Sequence, residues 1–153
     1  SVRCVEGTVV RLCDDEMLCR FWKRGLIKDY VADKMEQVKA YNESGDVDAS
    51  MPGNGRHMTN IGTFRVYITQ YLKNHPGIHK GMTIMVRQLA SMESGIPLEI
   101  YAFTNTTNWS EYEEIQSDIF DHLFSVISAF DLQIYQKPSG SDLRMIKDTL
   151  SHQ

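Results

Sequence analysis

Residues 97–124, PLEIYAFTNTTNWSEYEEIQSDIFDHLF, contain a change of hydrophobic period that decides the fold class. Over residues 98–104 the side-chain pattern repeats every two residues, which is typical of a β-strand with two different faces. From Trp109 onward the apolar residues recur every three or four positions, which predicts an amphipathic helix. Asn108 is suited to cap that helix, with Glu111 at the reciprocal capping-box position. The stretch therefore predicts a strand, a short polar turn and a helix.

The hydrophobic pattern of the remaining chain predicts the other elements. Alternation indicates strands over residues 8–12 (TVVRL), 82–89 and 132–136, and helical spacing indicates a broken helix over about 14–42 and a helix that Asn60 caps. The order is strand, helices, strand, strand, helix, strand. This order predicts an α+β, ferredoxin-like βαββαβ sandwich. Its helices lie on one face of a mostly antiparallel four-stranded sheet, and one extra helix is inserted.

We expect one domain in this chain. Residues 42–58 (NESGDVDASMPGNGRHM) form a flexible loop rich in turn residues, and the chain after this loop is too short to be a separate domain. The single α/β domain is expected to run over residues 1–141, with a C-terminal tail over 142–153. The chain begins with Ser1 rather than Met, which we take to indicate a piece of a longer protein.

The charge distribution argues against nucleic-acid binding. The net charge is −4, and residues 88–136 contain eight acids and no Lys or Arg. Proteins that bind nucleic acid neutralise phosphates with basic side chains, and this acidic stretch would repel them. We therefore expect no nucleic-acid partner.

The cysteine count and the hydropathy set the expected compartment. The three cysteines, Cys4, Cys13 and Cys19, are an odd number in a chain large enough to fold without disulfides, which favours a reducing cytosolic setting. No uncharged apolar run approaches the ~18 residues that span a bilayer, and no signal peptide is visible.

Three groups of side chains have the chemistry of metal ligands: Asp118, Asp121 and His122 with Glu114; His75 with His79; and Cys13 with Cys19. The first group is better explained as the solvated face of a helix. Pro76 and Gly77 break any helix that would align the two histidines, and the cysteine spacing is wide for a zinc knuckle. No nucleophile elbow or phosphate loop is present, so we expect no metal, no cofactor and no enzyme.

One face of the predicted sheet is left open by its helices. If Leu98, Ile100 and Ala102 face the helices, then Tyr101 and Phe103 point to the open side. The same parity adds Met85, Arg87 and Tyr135. An exposed cluster of aromatic and Met side chains indicates a contact surface. Base stacking, protein contact, and coverage by the C-terminal tail are the alternatives, and the acidic charge favours protein contact.

Four runs of this sequence resemble the C-terminal cytoplasmic region of bacterial miniconductance, YbdG-like mechanosensitive channels, which belong to the small-conductance mechanosensitive channel (MscS) family. They are MTNIGTFRVYITQYLKNHP (58–76), TIMVRQL (83–89), IPLEIYAFTNTTNWSEYEEIQSDIFDHLF (96–124) and QKPSG (136–140). The run VVRLCDDEML (9–18) is more loosely similar to the strand-to-helix junction of that family.

The resemblance implies a parent channel in the bacterial inner membrane that opens under membrane tension in hypoosmotic shock. This domain would lie on the cytoplasmic side, in a sevenfold vestibule ring with side portals that filter solutes. The pore-lining helix and gate are missing from this chain, so no gate residue is assigned, and membrane contact would run only through the missing N-terminal part.

The resemblance also gives the two candidate sites a use. We predict that a neighbouring copy of this chain is contacted by Met85, Tyr101, Phe103 and Tyr135. The expected partner is thus the chain itself, in a homo-heptamer. We predict that the acidic helix, through Glu111, Glu114 and Asp118, shapes ion preference. A ligand-binding regulatory module of ferredoxin-like fold is the alternative function, followed by RNA binding.

Overall fold

The computed structural model describes residues 2–4, 10–44 and 57–136, which form an α+β fold with an antiparallel sheet. The elements in chain order are β1 (Val2–Cys4), α1 (Asp15–Trp22), α2 (Lys28–Ser44), α3 (Asn60–Asn74), β2 (Met85–Gln88), β3 (Ile96–Tyr101), α4 (Trp109–Val126) and a 3₁₀ helix (Ile127–Phe130). The predicted loop over 42–58 lies largely outside the described residues, and the predicted tail over 142–153 does so entirely.

β3 is the central strand of the sheet. It pairs antiparallel with β1 on one side and with β2 on the other, in the order β1-β3-β2. The turn between β2 and β3 closes through reciprocal backbone hydrogen bonds of 2.9 Å between Met92 and Gly95. Gly95 has a φ of 98°, a left-handed conformation that glycine adopts without a steric penalty. The predicted hairpin is thus present, and its strand ends differ from the predicted ones by one to three residues.

The four-stranded ferredoxin-like sheet is not confirmed, because the described residues form three strands. Residues 132–136 do not form the predicted strand and contain a lone bridge residue, Ile134. Leu132 is fully buried and Ile134 packs against the core, so core packing is sufficient to explain their alternation. Of the predicted strand over 8–12, residues 8 and 9 lie outside the described ranges, and Leu12 makes an isolated bridge to Thr59.

The predicted broken helix over 14–42 is confirmed as two helices. Asp14 caps α1 by accepting the Met17 backbone N–H at 2.8 Å, and Gly25 lies in the turn before α2. α2 runs two residues beyond the predicted end.

The predicted cap of α3 is off by one residue. Thr59 is the N-cap, and its hydroxyl oxygen accepts the backbone N–H of Gly62. Asn60 is the first helical residue and is fully buried. Its side-chain oxygen accepts the backbone N–H groups of Arg11 and Ile61, so it joins the start of α3 to the segment before α1.

The core is built around three fully buried phenylalanines from different elements, Phe21 of α1, Phe64 of α3 and Phe130 of the 3₁₀ helix. The Phe130 ring lies 5.0 Å from each of the other two ring centroids. Aromatic rings at this separation pack favourably and bury a large apolar area. This cluster therefore joins the α1 segment to the helices that lie beside the sheet.

Candidate functional site

The central strand β3 presents two different faces. Leu98 is fully buried, and Ile96 and Ile100 pack against the core from the same face. Ala102, just past the strand, continues this contact. The opposite face carries Tyr101, which is 47% exposed. The predicted orientation of the strand is therefore correct.

The second face of the sheet, which we call the open face, consists of Met85, Arg87, Glu99, Tyr101 and Phe103. The register places Met85 directly across from Tyr101 and Arg87 across from Glu99, so that the last two form an ion pair. Tyr101 and Phe103 meet edge to face, with ring centroids 5.2 Å apart. Met85 is 40% exposed. The structure therefore brings together an apolar surface beside one charge pair.

Tyr135 is not brought into this cluster. It is half-buried in the segment after the 3₁₀ helix, and among the described residues no ring contact joins it to Tyr101 or Phe103. The parity argument that included it assumed a fourth strand over 132–136, and the described residues there form no strand.

The turn between β3 and α4 is fixed by a cap. The Asn108 side-chain oxygen accepts the backbone N–H groups of Ser110 at 2.9 Å and Glu111 at 3.3 Å. The predicted cap is confirmed, but the reciprocal capping-box bond is replaced by a relay. The Asn108 backbone N–H donates to the Thr106 hydroxyl, which in turn donates to the Glu111 carboxylate. Glu111 is therefore partly committed to holding the helix start.

Asp118 accepts a hydrogen bond from His75 at the end of α3. The Gly77 backbone N–H donates to Nδ1 of His75 at 3.0 Å, so that nitrogen is assigned as unprotonated. Nε2 then carries the proton and donates to Asp118 Oδ2 at 2.9 Å. The imidazole is almost fully buried, whereas the Asp118 side chain is 70% exposed. All three predicted ion-preference residues are exposed, but Glu111 and Asp118 also accept hydrogen bonds that hold the fold. No such contact is described for Glu114.

Two tyrosines of α3 pack against His122 of α4. The Tyr71 ring stacks on the His122 ring with centroids 4.0 Å apart, and the Tyr67 hydroxyl lies 2.9 Å from its Nε2. Burial raises the pKa of both tyrosines, and the nearby Asp118 carboxylate raises that of Tyr71 further. Sequence reasoning missed this contact, although the helical spacing of Tyr67 and Tyr71 is a signal for it.

Members of the three groups that have the chemistry of metal ligands make other contacts in the structure. His122 and Asp118 are engaged with α3 as described, and the His79 imidazole accepts the Gly81 backbone N–H. Burial raises the pKa of the Cys13 thiol to about 11, which disfavours the thiolate that binds metal. Within the described ranges no three His, Cys, Asp or Glu side chains are arranged to hold a metal ion.

Two concave sites have been characterised in the described part of the molecule. One, of about 110 Å³, lies between β3 and α4 and is lined by apolar side chains that include Ile100 and Ile115. Ligand sites usually measure ~300–1,000 Å³, so this pocket is small. The other, a groove of about 480 Å³ between α1 and α2, offers one charged side chain, Asp15. Neither combines sufficient volume with several convergent polar groups.

About half of the chain, including this site, matches a known protein family. Residues 60–134 match the family described as the mechanosensitive ion channel MscS, C-terminal domain. The match begins at the first residue of α3 and ends at Ile134, so it includes the whole open face and α4. Over these residues the chain is similar to the MscS C-terminal domain family. This is a family of ion channels rather than of enzymes.

A curated relative agrees with this assignment. The chain is 28% identical over 69 residues to the low conductance mechanosensitive channel YnaI of Escherichia coli strain K12. The match covers 45% of this chain and 20% of that protein, so the chain spans about a fifth of its relative. No solved structure gives a significant match. None of the helices in the described ranges is long and apolar enough to cross a membrane.

The candidate residues fall mostly within the matched range. Met85, Tyr101 and Phe103 lie inside the matched range, as do all the acids of α4, whereas Tyr135 lies one residue beyond it. The open face and the acidic helix therefore lie within the part of the chain that matches the family.

Proposed function

We propose that this chain is the cytoplasmic vestibule domain of a bacterial tension-gated channel of the miniconductance, YbdG-like type. The observation that carries the proposal is the MscS C-terminal family match over residues 60–134. The parent protein would reside in the inner membrane and open in hypoosmotic shock. It would contact the bilayer through a part that this chain does not contain.

The domain would contribute assembly and solute filtering rather than the pore. We propose that neighbouring copies form a sevenfold ring whose walls and portals this domain builds. In the complete ring, residues 132–136 would add the fourth strand of a ferredoxin-like sheet. No nucleic acid, metal or cofactor enters this function.

Patch recordings of the full-length protein test the channel function. We expect currents that appear under membrane tension and stop when tension is released. A protein in which tension evokes no current, in membranes where it is present and assembled, would contradict the proposal. The two alternatives have their own readouts: a salt-dependent gel shift for RNA binding, and a ligand that raises the melting temperature for a regulatory module.

The open face is proposed as a contact between copies. An apolar patch with aromatic and Met side chains is characteristic of the buried centre of subunit interfaces. Phe103→Asp places a charge in that patch and should reduce the fraction of intact oligomer on native gels. Met92→Asp is the control, because Met92 is 54% exposed in the hairpin turn. Normal assembly of the Phe103 variant would remove this face from the interface.

The acidic side of α4 is proposed to shape ion preference at the vestibule. Carboxylates beside an aqueous path raise the local concentration of cations. Neutralising Glu111, Glu114 and Asp118 to the corresponding amides should shift the permeability ratio toward anions. Glu114→Gln alone isolates the electrostatic effect, since the other two carboxylates also have structural partners. Unchanged anion and cation permeability in the triple variant would refute this role.

A further inference from the structure

A stripe of aromatic side chains runs along α4 beside its buried face. The aromatic stripe consists of Trp109, Tyr112, Phe120 and Phe124, spaced so that all four lie on one side of the helix. Trp109 is 74% exposed and Phe124 is 43% exposed. The rings contact each other in pairs, with centroids 5.7 Å apart for Trp109 and Tyr112 and 5.8 Å for the other pair. Partly exposed aromatic pairs on one side of a helix indicate an interaction surface.

The aromatic stripe carries negative charge. Glu113 lies one helical turn after Trp109 and therefore on the same side of α4. The helix contains five acids and no Lys or Arg. The acids proposed for ion preference project elsewhere, as the contact between Asp118 and His75 shows. Aromatic faces combined with a carboxylate suit a cationic partner, because Lys and Arg bind over aromatic rings and pair with carboxylates.

The opposite charge is concentrated in the turn between α1 and α2. Residues 20–28 (RFWKRGLIK), which we call the basic turn, contain four cations and no acid. Lys23 is exposed, and Leu26 is 38% exposed and adds an apolar contact. Arg20 pairs with Asp131. The basic turn therefore offers a positive charge that complements Glu113, and an apolar side chain that can pack against the aromatic rings.

The basic turn of the same copy cannot cover the start of the aromatic stripe. The Arg24 guanidinium lies 5.4 Å from the centre of the Phe130 ring, just beyond the C-terminal end of α4. α4 has 18 residues, so its two ends are separated by about 27 Å. Trp109 and Glu113 lie at the far end. Only a second copy can bring its basic turn to them.

We propose that the aromatic stripe and Glu113 of one copy receive the basic turn of a neighbouring copy. This inference rests on the proposed function, in which copies of this domain form a ring. A contact between two different surfaces of identical chains is heterologous, and it closes a ring when the rotation between copies is regular. Lys23 would lie against the aromatic rings and pair with Glu113 across the interface, while Arg24 stays over the Phe130 ring of its own copy.

A carbodiimide cross-link between Glu113 and Lys23 in the full-length protein tests the contact. Rings assembled from a mixture of ¹⁵N-labelled and unlabelled chains show by mass spectrometry whether a cross-link joins two copies. We expect a mixed-isotope Glu113–Lys23 link. Lys23→Glu and Glu113→Lys should each abolish it, since each leaves two like charges. The double variant should regain it with the carboxylate and amine exchanged.

The exposed pair of Lys39 and Glu43 is the internal control, because its 3.8 Å separation within α2 gives a link inside one copy in every variant. Trp109→Ala should lower the yield of the mixed-isotope link without affecting that control. An intact oligomer without the mixed-isotope link, or a double variant that fails to regain it, would overturn this contact alone. A wild-type protein that forms no oligomer would overturn the proposed function and this contact with it.

Discussion

The two faces of β3 differ in what covers them. On one face Leu98 is fully buried by the helices of its own chain, whereas on the other Tyr101 remains nearly half exposed. Both side chains are large and apolar enough to contribute to a core. Among the described residues, only the Leu98 face of β3 packs against the helices of the same copy. The open face therefore has the composition of an interface and the exposure of a surface.

The two faces should differ most in how far truncating a side chain on each lowers the stability of the protein. Leu98→Ala removes a fully buried side chain and leaves a cavity, which should lower the free energy of unfolding by about 2–5 kcal/mol. Tyr101→Ala should lower it by less than about 1 kcal/mol, because water already reaches the ring. Urea unfolding of this chain measures both. Equal losses at the two positions would show that the open face is part of the core.

A smaller effect is expected where the open face ends and α4 begins. Asn108→Ala removes the acceptor for two backbone N–H groups and should cost about 1 kcal/mol in the same unfolding experiment. Thr107→Ala, at the exposed neighbouring position, is the matched control. If the two variants are equally stable, the cap contributes nothing to the joint between strand and helix.

The smallest effect is expected at a polar contact outside the sheet, where Asp131 accepts hydrogen bonds from two arginines. The Arg20 hydrogen bond, followed by that of Arg11, holds the pKa of this carboxyl below its ordinary value of 3.8. A carboxyl whose pKa is lowered by folding stabilises the folded state. This contribution to the free energy of unfolding is present above pH 3.8 and is lost as the pH falls through the folded-state pKa. The contribution should be small, because the groups are exposed to solvent.

Asp131→Asn tests this pH dependence. Asn is a suitable replacement because residue 131 has a φ of 53°, a conformation that Asn tolerates. The variant should lose a little stability at neutral pH and show a shallower decline in stability below pH 3.8 than the wild type. Parallel acid-unfolding curves for the two proteins would contradict the linkage.

Local patterns predicted the joint between β3 and α4 well because its determinants are close in sequence. The parity of Leu98 and Tyr101 set the two faces, and Asn108 capped the helix within three residues. Asn60 was assigned to the wrong role because its partner, Arg11, is 49 residues away. The final strand is not confirmed, and alternation at Leu132 and Ile134 does not distinguish a hydrogen-bonded strand from an extended segment packed on the core.

The residues of the candidate site could also be predicted where a local pattern determines their position. Met85, Tyr101 and Phe103 follow from strand parity, and the register of β2 confirmed that Met85 lies across from Tyr101. The contact between His75 and Asp118 joins the end of one helix to the middle of another, and no local pattern indicates it. Sequence patterns therefore located the surface, and the tertiary structure showed which acids of α4 also serve the fold.

Oxidation of Met85 tests most directly whether a neighbouring copy completes the open face. Its rate of reaction with peroxide would be measured by mass spectrometry in this chain alone and in the assembled full-length protein, with Met92 of the exposed hairpin turn as the reference. We predict that assembly slows the oxidation of Met85 severalfold and leaves that of Met92 unchanged. Equal rates for Met85 in the two states would contradict the account.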